Sequence, residues 1–402
     1  MSNHAGPWAG GQWSLRPKTI AVTGSVLGLI AFLSAIPPFD ARSPLVPIVF
    51  GVFALAAGIW ALTRGERRPG LGAIASGVLG IALGLLATRS SAGNLHVVFA
   101  ADLIAQVFVF STPLTFGALG GMVSERSGVV NVGLEGMMLM GCFWGVYGAD
   151  RGGSWVVGIL AALLGGALFA LIHAFWSIHL RGNQIVSGMA INFLALGVTG
   201  YFFEQLYGQK NIPAGVSTVP NVAIPGIDNL KYLGPAIGDL NLLIWVAIAF
   251  VPLSYVILFK TPIGLRVRAC GEHPRAADTV GINVYAVRYS AVIISGMLAA
   301  LGGAFLSIGN GGGSFTENMT EGRGFIALAA MIFGKWTPAG AFLASLLFAC
   351  ADALGARLQA AGVRVPYQFL GMLPYLLTIV VVAGAMGRAI APAAVGRPYR
   401  KS

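Results

Sequence analysis

Charge is what this sequence has least of. Only 10% of its 402 residues are Asp, Glu, Lys or Arg, against about 25% in a soluble globular domain. That deficit excludes an ordinary soluble fold. Cysteine is rare too. Cys142 and Cys350 stand in apolar runs and Cys270 in a polar segment, with no C-x-x-C and no Cys/His spacing. Three inert thiols are expected, and no metal or redox centre. No G-x-x-x-x-G-K-[ST] occurs, so the chain has no P-loop with which to hold ATP. No H-E-x-x-H occurs, and His173 and His179 do not share a helical face at metal spacing. The apolar runs lack the series of acidic residues that a transmembrane proton relay needs. The net charge is +11, but the basic residues form no stripe interleaved with aromatics, which excludes nucleic acid as a partner.

What is present is apolar, with 56% hydrophobic residues and 57 glycines. A bilayer core takes about 20 apolar residues per helix. Candidate spans fall at 19–36, 44–62, 70–88, 96–122, 129–149, 154–178, 184–207, 241–259, 289–309, 324–334, 337–357 and 368–387. The fold class expected is therefore an all-α polytopic membrane protein of about twelve transmembrane helices. The first run is longer than a signal-peptide core and ends in Ile36-Pro37-Pro38 without a small-x-small cleavage site, so it reads as a retained helix. The span at 324–334 is too short to cross as a straight helix unless neighbouring helices shield its ends. With twelve crossings and the N-terminus in the cytoplasm, 17 of the 25 Lys and Arg fall inside and eight outside. The bias favours that orientation, with both termini cytoplasmic in a multi-pass cell-membrane protein.

The chain divides near Ser90–Asn94. Residues 1–93 hold a polar N-terminal tail and three Gly/Ala-rich spans; 94–390 hold the working core, and 391–402 a basic tail. Ala-Leu-Gly-Gly occurs at 118–121 and again at 300–303, a short hint of an internal repeat. Glycines four apart, such as Gly117/Gly121 and Gly141/Gly145, suit close helix packing.

One polar stretch, 261–284 within the loop 260–288, interrupts the apolar pattern of the core. Pro274 can open a short helix there, since its missing N–H would be unpaired in any case. Ala276 and Ala277 continue it. Gly281 can close it in the left-handed conformation. Arg266, Arg268, Glu272, Arg275 and Asp278 make it charged. A short capped helix between two spans is suited to being gripped by a soluble partner.

Within the spans, polar residues are few. Glu135 is the most unusual, because a carboxylate at depth is costly and faces a bundle interior or a water path. Asn131 lies one turn earlier, so a Glu135–Asn131 hydrogen bond is expected if the helix is continuous. Two roles fit: a substrate path or gate, and a clasp on a discontinuous helix, with Gly133 and Gly136 favouring a break. Gln184, Gly188 and Asn192 share one face of the seventh span, with Ser187 nearby. Their amides suit a ligand with hydroxyls and ring nitrogens and serve equally as interhelical glue. The glycine-rich stretch 309–325, carrying Glu317, Glu321 and Arg323, reads as an outer turn leading into the short helix, where Phe325 is placed to stack on an aromatic ligand.

Four ordered segments together resemble a known family. They are S-E-R-S-G-V-V-N-V-G-L-E-G-M-M-L at 124–139, N-Q-I-V-S-G-M-A-I-N-F-L-A-L-G at 183–197, G-L-R-V-R-A-C-G-E-H-P-R-A-A-D-T-V-G-I-N at 264–283 and G-R-G-F-I-A-L-A-A-M-I-F-G-K-W-T-P-A-G-A at 322–341. From about 96 to 388 the chain resembles the permease subunit of bacterial ABC importers, in the superfamily of ribose and branched-chain amino acid permeases, and its nucleoside (simple-sugar) branch in particular. The resemblance implies a non-enzymatic transport subunit. It implies a cytoplasmic ABC ATPase that carries the ATP and Mg, a homologous second permease and an extracytoplasmic substrate-binding lipoprotein, with membrane lipid around the spans. No cofactor is expected on this chain. The resemblance also implies that Gly271, Glu272, His273, Pro274, Arg275, Ala276, Ala277, Asp278 and Gly281 form the helix that couples to the ATPase, with His273 where the family often has Asn. It does not reach the first three spans. The alternative is an ion-coupled secondary transporter of a small polar solute, which the coupling-like loop and the sparse intramembrane charge disfavour. An integral membrane enzyme would need a catalytic constellation, and none is discernible.

Overall fold

In lipid, every backbone N–H and C=O must find its partner within the protein, which a helix achieves within one segment. Helices accordingly dominate the computed structural model, which describes residues 17–34, 43, 45–89, 102–208, 215–223, 234–360 and 390–401. The chain forms two units. One takes in residues 1–101, 357–365 and 375–386, and the other 102–356, 366–374 and 387–402.

In the first unit, α1 (Pro17–Leu33), α2 (Leu45–Thr63) and α3 (Arg67–Arg89) pack closely against one another. Small residues make the seams: Gly58 backs onto Gly70, and Ala54 and Ala61 are fully buried. Outward-facing Val22, Leu29, Val52 and Phe53 remain open to the surroundings, as expected where lipid is the solvent.

The second unit holds α4 (Asp102–Arg126), α5 (Leu134–Gly152), α6 (Trp155–Ala174), α7 (Gln184–Tyr207), α8 (Leu242–Lys260), α9 (Pro262–Glu272), α10 (Pro274–Thr279), α11 (Val284–Ala304), α12 (Arg323–Phe333) and α13 (Pro338–Ala360). Wider π turns extend α6 over Phe175–His179 and α11 over Phe305–Gly309. A small antiparallel pair joins β1 (Asn221–Ala223) to β2 (Asp239–Asn241), Asn221 opposite Asn241. Buried at the centre, α4, α5 and α11 are covered by α6, α8 and α12. The two Ala-Leu-Gly-Gly copies lie on facing helices: Gly120 of α4 abuts the Ser295 carbonyl of α11, and Gly302 abuts Pro113. Those glycines allow backbone to touch backbone.

Among the described residues, seven helices are long and apolar enough to cross a bilayer: α2, α4, α6, α7, α8, α11 and α13, with the π turns included. The protein is thus an all-α polytopic membrane protein. The expected span at 368–387 lies outside the described residues. At eleven residues α12 is only about 16 Å long, roughly half a hydrocarbon core. The expected span at 129–149 is broken, because residues 127–133 are not helical and α5 starts only at Leu134. The polar stretch 261–284 is also more ordered than a loop with one helix. Thr261 ends α8 and caps α9, its Oγ1 accepting from the Gly264 N–H, with Pro262 at the first helical position.

Candidate functional site

The four sequence segments singled out above converge on one place, the break between α4 and α5. Ser124 and Ser127 turn the chain there. The Ser124 hydroxyl donates to the Val129 carbonyl at 2.7 Å, and the Ser127 hydroxyl to the Ser124 carbonyl at 2.7 Å.

Glu135, at the start of α5, reaches the N-terminus of α12. Its Oε1 accepts from the Gly322 N–H at 2.7 Å and its Oε2 from the Gly324 N–H at 2.6 Å. Gly322 adopts φ +83°, a left-handed conformation that glycine accepts freely. The carboxylate therefore fills the role of the missing side-chain cap of α12 and sits at the positive end of its dipole. The expected Glu135–Asn131 bond is not made. Asn131 precedes the helix rather than lying in it, so the four-residue spacing does not bring the two together. Instead its Nδ2 donates to Ser295 Oγ at 2.9 Å and its Oδ1 accepts from the Gly133 N–H at 3.1 Å.

The polar face of α7 is turned onto the same break. Gln184 Oε1 accepts from the Val130 N–H at 2.7 Å. Asn192 Oδ1 accepts from the Gly136 N–H at 2.8 Å, while its Nδ2 donates to the Val132 carbonyl at 3.1 Å. Gly188 packs against Val132 and Gly133. Ser187 pairs with His173, whose other ring nitrogen lies 3.0 Å from the Val130 carbonyl. A carbonyl only accepts, so Nε2 carries the proton and Nδ1 accepts from the Ser187 hydroxyl at 3.0 Å. Thus Asn131, Glu135, Gln184, Ser187 and Asn192 converge, and most of their hydrogen-bonding capacity goes to the backbone of 130–136 or to α12. Gln184 Nε2 is a buried donor without a partner among the described residues. Phe325 stands apart, 41% exposed on α12.

The other end of α12 is held from the same break. Glu125 Oε2, at the end of α4, accepts from Trp336 Nε1 at 2.6 Å. Next to it, Arg126 donates from Nε and Nη2 to the Trp336 carbonyl at 3.1 and 2.7 Å. Lys335 and Trp336 both take positive φ, 55° and 52°, a conformation costly for residues with a Cβ. The clamp holds that tight turn between α12 and α13. The short helix is therefore pinned at its start by Glu135 and at its end by Glu125 and Arg126.

The α9–α10 region meets the break from outside the apolar bundle. Gly271 lies against the Arg126 carbonyl so closely that a Cβ there would overlap it. Residues Pro274–Thr279 are helical as Pro274 and Ala276–Ala277 predicted, and Gly281 follows at φ +83°, its N–H donating to the Asp278 carbonyl at 2.9 Å. Ala277 is buried, whereas Glu272, His273, Arg275 and Ala276 are exposed and Pro274 and Asp278 half-buried. Val280, just beyond, is 74% exposed.

Sequence reasoning passed over Arg288 as a neighbour of the loop. It is fully buried, has no carboxylate partner among the described residues and donates to three carbonyls: Ser127 at 3.1 Å, Arg397 at 3.1 Å and Cys270 at 3.5 Å. It thereby joins the break, α9 and the C-terminal tail. An arginine one turn into an apolar helix was the available signal. Burial raises the Cys270 thiol above its ordinary range, with Arg288 pulling the other way. His173, Glu125 and Trp336 were also missed; two of them stand inside the segments that carry the family resemblance. Among the described residues no group of His, Cys, Asp and Glu is arranged to hold a metal.

The family model described as branched-chain amino acid transport system / permease component matches residues 103–391. The guanosine ABC transporter permease protein NupQ of Bacillus subtilis is 44% identical over 309 residues, 74% of this chain and 96% of that protein. The nucleoside ABC transporter permease protein NupC of Lactococcus lactis subsp. cremoris is 42% identical over 314 residues, 75% of this chain and 97% of that protein. The putative glucose ABC transporter permease protein TsgC13 of Haloferax volcanii is 33% identical over 316 residues, 72% and 93% of the two chains. No solved structure matches. A bundle whose four most distinctive segments meet at one helix break, matched along that whole stretch by one family model, belongs to the branched-chain amino acid transport system permease family.

Proposed function

We propose that this chain is the permease subunit of an ATP-driven importer that carries nucleosides across the cytoplasmic membrane. Twelve crossings, the last at 368–387, put both termini in the cytoplasm. A cytoplasmic ATPase binds the ATP and Mg, a homologous second permease completes the pathway, and an extracytoplasmic lipoprotein delivers the solute. The three helices of residues 1–93 are an accessory addition to this core. The observation that carries the reading is 44% and 42% identity to permeases named for guanosine and for nucleosides, over nearly their whole lengths.

The residues suggest how the work is done. The ATPase grips the exposed face of α10. Displacement of α9 and α10 passes through Gly271 and Arg288 to the α4–α5 break. Because that break holds both ends of α12, moving it re-seats the short helix beside the solute path. Asn131, Gln184, Ser187 and Asn192 keep the break in register, and Phe325 faces the path as a stacking surface. The solute shifts the equilibrium only by its differential affinity for the outward and inward states, and release requires that difference to be small. No covalent bond is made or broken on this chain.

The test is uptake by the assembled complex in cells lacking other nucleoside transporters, with labelled guanosine, ribose and leucine compared. ATP-dependent guanosine uptake that glucose and ribose do not outcompete is expected. Uptake that survives ATP depletion but collapses with an ionophore would replace this reading with ion coupling. Glu272→Ala with Arg275→Ala is expected to lower uptake while leaving the chain inserted. Normal uptake in that variant would remove α10 from the coupling step.

A further inference from the structure

The C-terminal tail does not trail free from the bundle. The Ala394 N–H donates to the Gly271 carbonyl at 2.8 Å, the Gly396 N–H to the Gly128 carbonyl at 3.2 Å and the Ala393 N–H to Glu272 Oε2 at 3.1 Å. The Tyr399 ring stands edge-on to Tyr285, centroids 5.4 Å apart, and is buried with Cys270, Ala277 and Val284. The tail is thus fastened by backbone donors and one aromatic anchor, and its arginine side chains are left outside.

Between this tail and α10 runs a groove of about 760 Å³. Arg181, Arg275, Arg397 and Arg400 line it, all exposed. None of the four makes an ion pair among the described residues. The acidic residue lining it is Glu272, whose carboxylate accepts from the tail backbone. The groove therefore presents an excess of positive charge. None of its lining residues belongs to a helix long enough to cross a membrane, and it continues directly onto the exposed face of α10.

We propose that the tail is the second wall of the docking surface, and that the groove receives an acidic segment of the cytoplasmic ATPase. This rests on the reading of the chain as an ATP-driven permease. Like-charged walls with no ion-pair partner among the described residues favour an anionic occupant, and charge pairs at an interface rim set association rate and salt dependence. A lipid headgroup offers the same anionic chemistry, but nearly all of the groove's lining comes from Glu272–Ala276 and the tail residues 393–400, with Arg181 alone coming from a link between spans.

The experiment uses the full chain with its second permease in nanodiscs and the purified ATPase subunit of the complex. Arg397→Glu with Arg400→Glu changes only outward-facing side chains and spares the tail's anchors. ATPase binding is expected to weaken about tenfold near 0.15 M salt, with the difference narrowing at higher salt as screening shortens. Arg397→Lys with Arg400→Lys is expected to keep most of the binding, which separates lost charge from a disordered tail. Undiminished binding by the glutamate pair overturns the proposal. So does a defect seen only in nanodiscs containing anionic phosphatidylglycerol and absent in pure phosphatidylcholine, which assigns the groove to lipid. If the wild-type complex binds no ATPase at all, the ATP-driven reading itself falls; if it binds and the glutamate pair binds equally, only the groove is lost.

Discussion

Replacing Glu135 by Gln isolates the clasp on α12. The side chain keeps its length, and one oxygen still accepts from an N–H. The other becomes an NH2 group facing the second donor, Gly322 or Gly324. One charge-assisted hydrogen bond is lost, worth roughly 1.5–3 kcal/mol. The anion at the helix N-terminus is lost as well, worth roughly 0.3–2 kcal/mol. Together these come to roughly 2–5 kcal/mol. At roughly 2–4 °C per kcal/mol for a domain of this size, melting falls by about 4–20 °C. Thermal unfolding in mild detergent, followed by tryptophan fluorescence, reads the change. Gly324→Ala attacks the same contact from the other side, since its Cβ would lie 2.5 Å from the Glu135 backbone. It should reproduce the loss, and Glu135→Asp, one methylene shorter, should fall between. If both Glu135→Gln and Gly324→Ala melt with the wild type, the carboxylate does not hold the short helix, and its place at depth needs another explanation.

Arg288→Met strands three backbone carbonyls and should cost roughly 1–3 kcal/mol for each one left buried and unsatisfied, with the tail becoming a cleavage site in limited proteolysis; a tail as resistant as in the wild type would contradict its role as a joint. Trp336→Phe leaves the buried Glu125 carboxylate without its 2.6 Å donor and should destabilise by roughly 1–3 kcal/mol, measured by the same melting assay. Asn192→Leu removes the acceptor of the Gly136 N–H and the donor to the Val132 carbonyl, so uptake should fall in equal proportion for every accepted nucleoside. A changed preference among nucleosides would instead show that Asn192 touches the solute.

How far the sequence was readable depended on the range of the interaction. The α10 helix was legible because its signals are local: proline fixes one dihedral where a helix begins, and Gly281 accepts the positive φ where it ends. Glu135 was legible as unusual, since a carboxylate among apolar residues is conspicuous in any context. Its partner was not. Spacing pointed to Asn131 on the assumption of a continuous helix, whereas the true donors lie 187 and 189 residues away. The amides of α7 were visible as a face, but what they face is backbone, and a backbone N–H carries no residue identity. The tail was read only as basic, because the groups that fasten it are again main-chain donors.

Composition and hydropathy alone therefore determined that this is a helical membrane protein, roughly where most of its apolar helices lie and which short polar stretch interrupts them. Those properties follow from transfer free energies and local dihedral preferences, which each residue brings with it. Only the tertiary structure decided that four distant segments meet at the α4–α5 break, that both ends of α12 are pinned there and that the tail walls a basic groove. Those arrangements arise because a buried polar group must be satisfied by whatever donor the packing brings within reach.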